Sequence, residues 1–452
     1  VQTKTKSELN AQFGIPFIQY DVKLYRVLYT TADVKGQVDT ASALIGVPQE
    51  PGRVFPRLIY HHGTVGSKQG VPSQNFATGE GQLGGLFAGM GYVCMLPDLL
   101  GLGTSRGFHP YVHAASEASA ALDLVRALPE FVGETGGFEV SAQLFVTGYS
   151  QGGHSAMATH RAIEQDSTAE FSITACAPLS GPYSISGVMR DLILSGNPYL
   201  YPAYVPNTIL SYQTVYGNLF QSLSEVFKPD YSALIEPYYA GTKDLGTLNN
   251  QLIQKLTQDY GAPITKGMLI DSLLQVVATH PDHPFNVALR ANDVYQWTPK
   301  APTRLFYCMG DDQVPFMNSV VAAQTMYTPD AADFEAADVA PSANHAGCVA
   351  PALLQTLLFF GGYQQILSSL PICTAPPLPM TVAPNPATEY VSFPELPGAG
   401  TLELIDVRGS VLIREETSGA PTTWSLAGVP RGNYAVVWQG SGHTVVRFLI
   451  RS

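Results

Sequence analysis

The sequence predicts an α/β protein: a mostly parallel sheet with helices on both faces and an inserted helical cap, followed by a small all-β sandwich. Three observations lead there. Apolar strand-like runs alternate with helix-like stretches up to about residue 180 and again after residue 300, the rhythm of strands joined by crossover helices. One junction reads Gly148-Tyr149-Ser150-Gln151-Gly152, a serine between two glycines where a strand gives way to a helix. Beyond residue 370 a proline-dense stretch precedes short alternating strands separated by glycine turns, which indicates an all-β sandwich.

Taken in order, residues 20–48 read as an antiparallel start, with partial alternation over 21–30 and a second strand over 41–47. Leu58, Ile59 and Tyr60 form a compact apolar strand that runs into His61-His62-Gly63-Thr64, and a helix-like stretch follows as far as Met90. Residues 92–96 make the next strand, closed by Pro97 and Asp98. Residues 117–131 are helical by alanine and leucine content and by apolar spacing at Ala121, Leu124, Val125 and Leu128. The strand through Leu144, Phe145 and Val146 stops at Gly148, a helix runs over 151–163, and 173–179 is another buried strand.

The rhythm then changes. Residues 182–300 hold eleven of the chain's 23 tyrosines, with helix-like pieces at 213–227 and 245–256 and prolines between them. This is the expected cap. Its tyrosines suit the wall of a pocket for an apolar or aromatic group, and equally the cap's own core. Strand rhythm returns at Thr303, followed by a helix over 318–326, a strand over 334–339, a loop carrying His345 and a final helix over 351–367. The domains expected are thus 1–370, a sheet-and-helix unit containing the cap; 371–382, a stiff proline-rich linker; and 383–452, the sandwich.

Composition sets bounds. A chain of 452 residues exceeds one usual domain, and 45% hydrophobic with only 13% charged residues fits a well-buried core. A net charge of −12 argues against nucleic acid, since no basic surface can develop to neutralise phosphates. No apolar run approaches 18 residues, so no membrane span is expected. The start lacks a methionine and a leader, as a signal-cleaved chain would. The five cysteines fit no zinc spacing. Cys94, Cys176 and Cys308 lie in strand-like runs that suit buried thiols, while Cys348 has Cys308 or Cys373 as possible partners in an oxidising compartment.

The serine calls for partners. A neutral hydroxyl is a poor nucleophile, so a histidine must take its proton and a carboxylate must hold that histidine in the right tautomer. Of ten histidines, His154 and His160 fall on the helix after Ser150 and read as structural or surface residues, and His280 and His283 fall in the cap. His345, between Asn344 and Gly347, is the candidate base. Asp311 is the candidate acid by its place before Val314-Pro315, with Asp312 in reserve; the alternative reading of the pair is that one of them only caps the following helix or turn. The oxyanion formed on attack needs two fixed donors, assigned to the N–H groups of Gln151 and Thr64. His62 then shapes the turn.

Two patterns are weighed and set aside. Gly101 to Gly107 resembles a phosphate loop but lacks the lysine ending. His109 and His113 stand four apart, yet Pro110 follows the first and no glutamate holds the position a metalloprotease needs. No cofactor or metal is expected.

Together the Ser150 elbow, Asp311-Asp312-Gln313-Val314-Pro315, the late His345 and the His62-Gly63-Thr64 turn resemble the α/β-hydrolase superfamily over roughly residues 20–370. Within it, Tyr60 to Thr64, Pro97 to Gly103, His109-Pro110-Tyr111 and the cap look like the secretory lipase and esterase group. That resemblance implies serine ester hydrolysis through an acyl-enzyme, without cofactor. The tail resembles the type IX secretion C-terminal sorting domain, on Ala383 to Pro386, Leu404 to Gly409, Leu426 to Tyr434 and a closing Val446 to Arg451 where the family's terminal lysine is arginine. This implies an Ig-like sandwich, passage across a Bacteroidetes outer membrane by the type IX machinery, a secreted or cell-surface location, and possible removal of the tail.

The leading expectation is a secreted carboxylic-ester hydrolase acting on a small-molecule or polymer ester, with medium-chain fatty, aromatic (feruloyl-type) and polyester substrates all open. A serine peptidase of the same fold is the alternative, although the cap lacks a Glu-Glu pair to anchor a substrate amine. A binding protein on a retired hydrolase is a third reading, which a complete set of catalytic groups disfavours.

Overall fold

Leu144, Phe145 and Val146 are wholly buried because helices cover both faces of the strand that carries them, which is why the central strands read as unbroken apolar runs. In the computed structural model, which describes residues 1–15, 18–328, 333–368, 378–407, 409–441 and 443–452, the chain divides into two units, Val1–Ser369 and Leu370–Ser452.

The first unit is built on one sheet. Its described strands are β1 (Gln2–Lys4), β2 (Val22–Ala32), β3 (Val38–Pro48), β4 (Arg53–His61), β5 (Val93–Pro97), β6 (Glu139–Tyr149), β7 (Ala175–Leu179), β8 (Thr303–Tyr307), β9 (Phe334–Asp338) and β10 (Leu367–Ser368). They lie in the order β1-β2-β3-β5-β4-β6-β7-β8-β9, with β10 antiparallel to β4. The pairings from β1 to β5 are antiparallel, and those from β5 through β4, β6, β7 and β8 to β9 are parallel. The mostly parallel sheet with an antiparallel start is the one the sequence predicts. The first strand is not: β1 and the helix α1 (Lys6–Phe13) precede the expected start. Their short polar segments carry no strong period, and α1 is fixed by a capping box between Thr5 and Glu8.

Alternation along the strands sends neighbours to opposite faces. Leu58 and Tyr60 of β4 pack with α2 (Gln82–Gly89) through Leu83, Leu86 and Phe87. Ile59 packs on the other side with α3 (Ala114–Thr135) and α4 (Gln151–Gln165), through Leu124, Leu128 and Ile163.

Between β7 and β8 the chain is helical: α5 (Arg190–Leu194), α6 (Tyr204–Tyr216), α7 (Pro229–Tyr239), α8 (Leu245–Tyr260), α9 (Asp271–Thr279) and α10 (Pro284–Ala291). These share a core that includes Leu210, Tyr212, Phe227, Tyr231, Leu248 and Leu252. The single helix expected over 213–227 does not form. α6 ends at Gly217, left-handed at φ 71°, and the Gln213 carboxamide oxygen accepts the N–H groups of Leu219 at 2.9 Å and Phe220 at 3.3 Å. That side chain closes the turn which periodicity alone runs through.

After β8 come α11 (Met317–Met326) and α12 (His345–Gly361). The final helix therefore begins at His345 rather than at Pro351. Proline favours a helix start, but here Asn344 caps the helix by accepting the Gly347 N–H at 2.9 Å and Pro351 lies within it.

The described strands of the second unit pair antiparallel: β11 (Tyr390–Phe393), β12 (Gly400–Ile405), β13 (Val411–Thr417), β14 (Thr422–Ser425), β15 (Gly432–Gly440) and β16 (His443–Arg451). β11 pairs β14, while β13-β12-β15-β16 form a second sheet. Phe393 and Trp424 from the first join Leu402, Val436, Trp438 and Leu449 from the second in one core. Residues 371–377 of the expected linker, Cys373 among them, lie outside the described residues. Among the described residues no helix is long and apolar enough to cross a membrane.

Candidate active site

Ser150 stands between β6 and α4 at φ 62° and ψ −121°, a backbone state that costs an L-residue about 1–3 kcal/mol. Packing enforces it. The Ser150 N–H donates to the Leu179 carbonyl at 3.0 Å. A Cβ on Gly148 or Gly152 would run into the His61 carbonyl oxygen, so only glycine lets β4 and α4 approach this turn. α4 then directs its unpaired first N–H groups at the space before the serine.

The acid and base candidates meet. The His345 Nδ1–H donates to Asp311 Oδ2 at 2.7 Å, between side chains that are 8% and 1% exposed. Asp311 Oδ1 is held by the N–H groups of Gln313 at 2.9 Å and Val314 at 2.8 Å. Asp312 has a different task, accepting the His345 backbone N–H at 3.1 Å. The cap expected on the turn that follows is made by Asp311 itself, in addition to its bond to His345, while Asp312 serves the distant start of α12. The His345 ring lies 4.9 Å from that of Tyr149, the residue before Ser150, and the Tyr149 hydroxyl donates to the His345 carbonyl at 2.6 Å. Cys308, three residues before Asp311, is disulfide-bonded to Cys348, three residues after His345. Cys308 is therefore no free thiol; Cys94 and Cys176 are free and buried.

The turn after β4 faces the serine: a Cβ on Gly63 would lie 3.6 Å from that of Ser150. Thr64 Oγ1 and the Tyr111 hydroxyl share a hydrogen bond of 3.0 Å. Gln151 is buried with its side-chain amide between His109 Nε2 at 2.7 Å and Glu117 at 3.0 Å. His154 is buried, not on the surface, with Nδ1 on Glu117 at 2.7 Å and Nε2 on the Asn292 carbonyl at 2.9 Å. His160 likewise is buried against Glu164 and Trp297. His283 caps α10, and His113 caps α3 by accepting the Ser116 N–H.

These buried rings make stability pH-dependent. Burial holds His61 down to about 3, and His109 and His113 down to about 4, from 6.5. The unfolded rings take up protons below 6.5 and the native ones do not, so stability drops as pH falls from 6.5 toward 4, by about 1.4 kcal/mol per pH unit for each ring. Glu117 adds to the loss at lower pH: burial raises its carboxyl, but His154, Gln151 and His109 together outweigh that and hold it low. Glu80 and Asp98, both raised by burial, act in the opposite sense. His113→Asn keeps a capping acceptor and loses the titration. By scanning calorimetry its Tm is expected to fall less than the wild-type Tm between pH 6.5 and 4.5, and equal slopes would contradict this.

An apolar cavity of about 130 Å³ opens at Ser150 and runs into the helical insertion. Tyr111, Tyr199 and Tyr204 line it, whereas Tyr212 and Tyr231 belong to the insertion's own core. Each reading of the tyrosines thus holds for some of them. Gln313, beside Asp311, accepts from the Tyr199 hydroxyl at 2.8 Å and the Tyr204 hydroxyl at 3.1 Å.

Solved structures of similar fold include esterases and a lipase. The rice cell wall degrading esterase LipA from Xanthomonas oryzae is similar at 25% identity and a TM-score of 0.69, over 80% of this chain and 96% of that one. Its ligand-bound form matches at 26% identity with the same TM-score. Candida antarctica lipase A is similar in fold, at 14% identity and a TM-score of 0.59 over 81% of this chain and 82% of that one. The first unit has the α/β-hydrolase fold. No protein-family model matches the chain, and no curated protein sequence does either. At the level of reaction class, the likeness supports a carboxylic ester hydrolase.

Within this hydrolase, three features escape a sequence reading. Asp312 gives no sign that it serves a helix starting at residue 345. Glu117 and His154 are far apart in sequence and meet only because α3 and α4 pack together. Glu80 sits in a glycine-rich loop with no motif around it, yet accepts the Tyr60 hydroxyl at 2.7 Å and the Gly63 N–H at 2.8 Å.

Proposed function

We propose that the protein is a serine carboxylic-ester hydrolase, working through an acyl-enzyme on esters with an apolar acyl group. The observation that carries this reading is the Asp311–His345 hydrogen bond of 2.7 Å, set against the tyrosine that precedes a strained elbow serine. With Nδ1–H committed to Asp311, His345 Nε2 keeps the lone pair a general base needs. Ser150 Oγ attacks the acyl carbon as His345 takes its proton, and the N–H groups of Thr64 and Gln151 hold the oxyanion. Collapse returns that proton to the departing alcohol. Water, deprotonated by His345, then attacks the acyl carbon; the bond to Ser150 Oγ breaks, that oxygen takes the proton back from His345, and the acid leaves.

The cavity supports an acyl group without charge. Ile185, Val205, Ile209, Leu273, Phe285 and Leu289 line it beyond Ser150, so each methylene that enters leaves water, worth about 0.8 kcal/mol when fully buried. In a panel of p-nitrophenyl esters, kcat/KM is expected to rise from acetate toward longer chains, with a peptide p-nitroanilide left uncut. Ile209→Trp narrows the cavity and is expected to move the optimum to shorter chains by at least tenfold in relative kcat/KM. A chain-length profile unaltered by Ile209→Trp would place the acyl group elsewhere, and cleavage of the anilide at a comparable rate would favour a peptidase.

The two-sheet tail, read as an Ig-like sandwich, is proposed as a type IX sorting domain for a secreted or cell-surface enzyme. The motif resemblance from Ala383 to Arg451 supports it. Deleting residues 378–452 should leave the enzyme in the cells of a type IX-competent host.

A further inference from the structure

We propose that Glu80 is a positioning residue that holds the Gly63–Thr64 turn with the Thr64 N–H presented to the oxyanion. This rests on the ester-hydrolase reading and adds a part the triad does not contain. Glu80 lies on the turn Gly79–Gly81, remote in sequence from β4. Its Oε1 accepts the Gly63 N–H at 2.8 Å, and its Oε2 accepts the hydroxyl of Tyr60, at the end of β4, at 2.7 Å.

Gly63 is wedged between this carboxyl and the nucleophile. A Cβ there would meet Glu80 Oε1 at 3.0 Å, the Tyr149 carbonyl at 3.2 Å and Ser150 Cβ at 3.6 Å. On the other side of the same residue, His62 Nδ1–H donates to the Gly63 carbonyl at 2.7 Å, and His62 Nε2 lies 3.1 Å from the Asp98 carbonyl. A trans peptide points its C=O and N–H in opposite directions. Fixing the Gly63 oxygen therefore fixes the direction of the Thr64 N–H. His62 holds that peptide plane and Glu80 holds the one before it. Glycine gives the chain its widest freedom at this point, so without the carboxyl the turn can rotate the donor away.

Burial raises the Glu80 carboxyl, and the attraction of His62 followed by the hydrogen bonds from Tyr60 and Gly63 draws it back. The clamp needs an acceptor for Gly63 rather than a charge, and this separates it from an electrostatic role. Glu80→Gln keeps the acceptor and Glu80→Ala removes it.

The experiment measures kcat and KM for p-nitrophenyl butyrate, and the inhibition constant of an aryl boronic acid, which forms a tetrahedral adduct on the serine. For Glu80→Ala, kcat is expected to fall roughly 100-fold, the scale of one lost oxyanion donor, with KM within twofold and boronate inhibition weakened in parallel. Glu80→Gln is expected to stay within about threefold of wild type in all three. If Glu80→Ala fails to fold, Glu80→Asp, a methylene too short to reach Gly63, is measured in its place. A kcat within threefold of wild type, a loss carried by KM, or a Glu80→Gln as impaired as the alanine would each overturn the clamp. Wild-type protein without turnover or boronate binding would instead overturn the hydrolase reading, and the clamp with it.

Discussion

Ser150→Ala is expected to lower turnover of an activated aryl ester by roughly 10⁴-fold or more while leaving Tm within a degree or two. The two halves of this expectation have different causes. Turnover goes because no other hydroxyl occupies the elbow, and what remains is the binding and oxyanion stabilisation of the bare site. Stability stays because alanine keeps the Cβ and inherits the φ of 62°, so the strain is unaltered. A variant that retains turnover would remove Ser150 from the chemistry. One that loses turnover together with its melting transition would say nothing of catalysis, which is why both are measured.

Asp311→Asn is expected to cost about 10⁴-fold in kcat, against less than tenfold for Asp312→Asn. The hydrogen bonds force this asymmetry. Asp311 Oδ1 is fixed by two backbone donors, Gln313 and Val314. An asparagine must keep its oxygen there and turn its NH₂ toward the imidazole. His345 Nδ1 then has to accept, the proton moves to Nε2, and the ring can no longer act as a base toward Ser150. Asparagine at 312 still offers an oxygen to the His345 N–H, so α12 keeps its start. Equal losses at the two positions would contradict the division of labour, and kcat with Tm for both variants decides it.

The elbow was the most legible part of the site because its requirements are local. A turn this tight needs glycine on both sides of Ser150, and a five-residue window carries that demand. Asp311 and His345 were legible through their order along the chain and their places after predicted strands. Where a side chain's purpose depends on packing, the sequence fell silent. The helix start at His345 is set by Asn344 and Asp312 against the pull of Pro351, a contest that spans two loops. The break at Gly217 depends on one glutamine reaching forward to two N–H groups. Glu80 has a meaning only once its loop returns to β4. The central strands were readable as unbroken apolar runs, but β1 and β10, of three and two residues, carry too little pattern, and the second falls where the final helix was expected to run on.

In the proposed mechanism Ser150 is the residue that becomes acylated. Incubating the protein with a fluorophosphonate and mapping the adduct by peptide mass spectrometry tests that claim. The expected result is one adduct, on the peptide holding Ser150, that appears as ester hydrolysis disappears and is absent from Ser150→Ala. An adduct on another residue, or undiminished hydrolysis after complete labelling of Ser150, would contradict it.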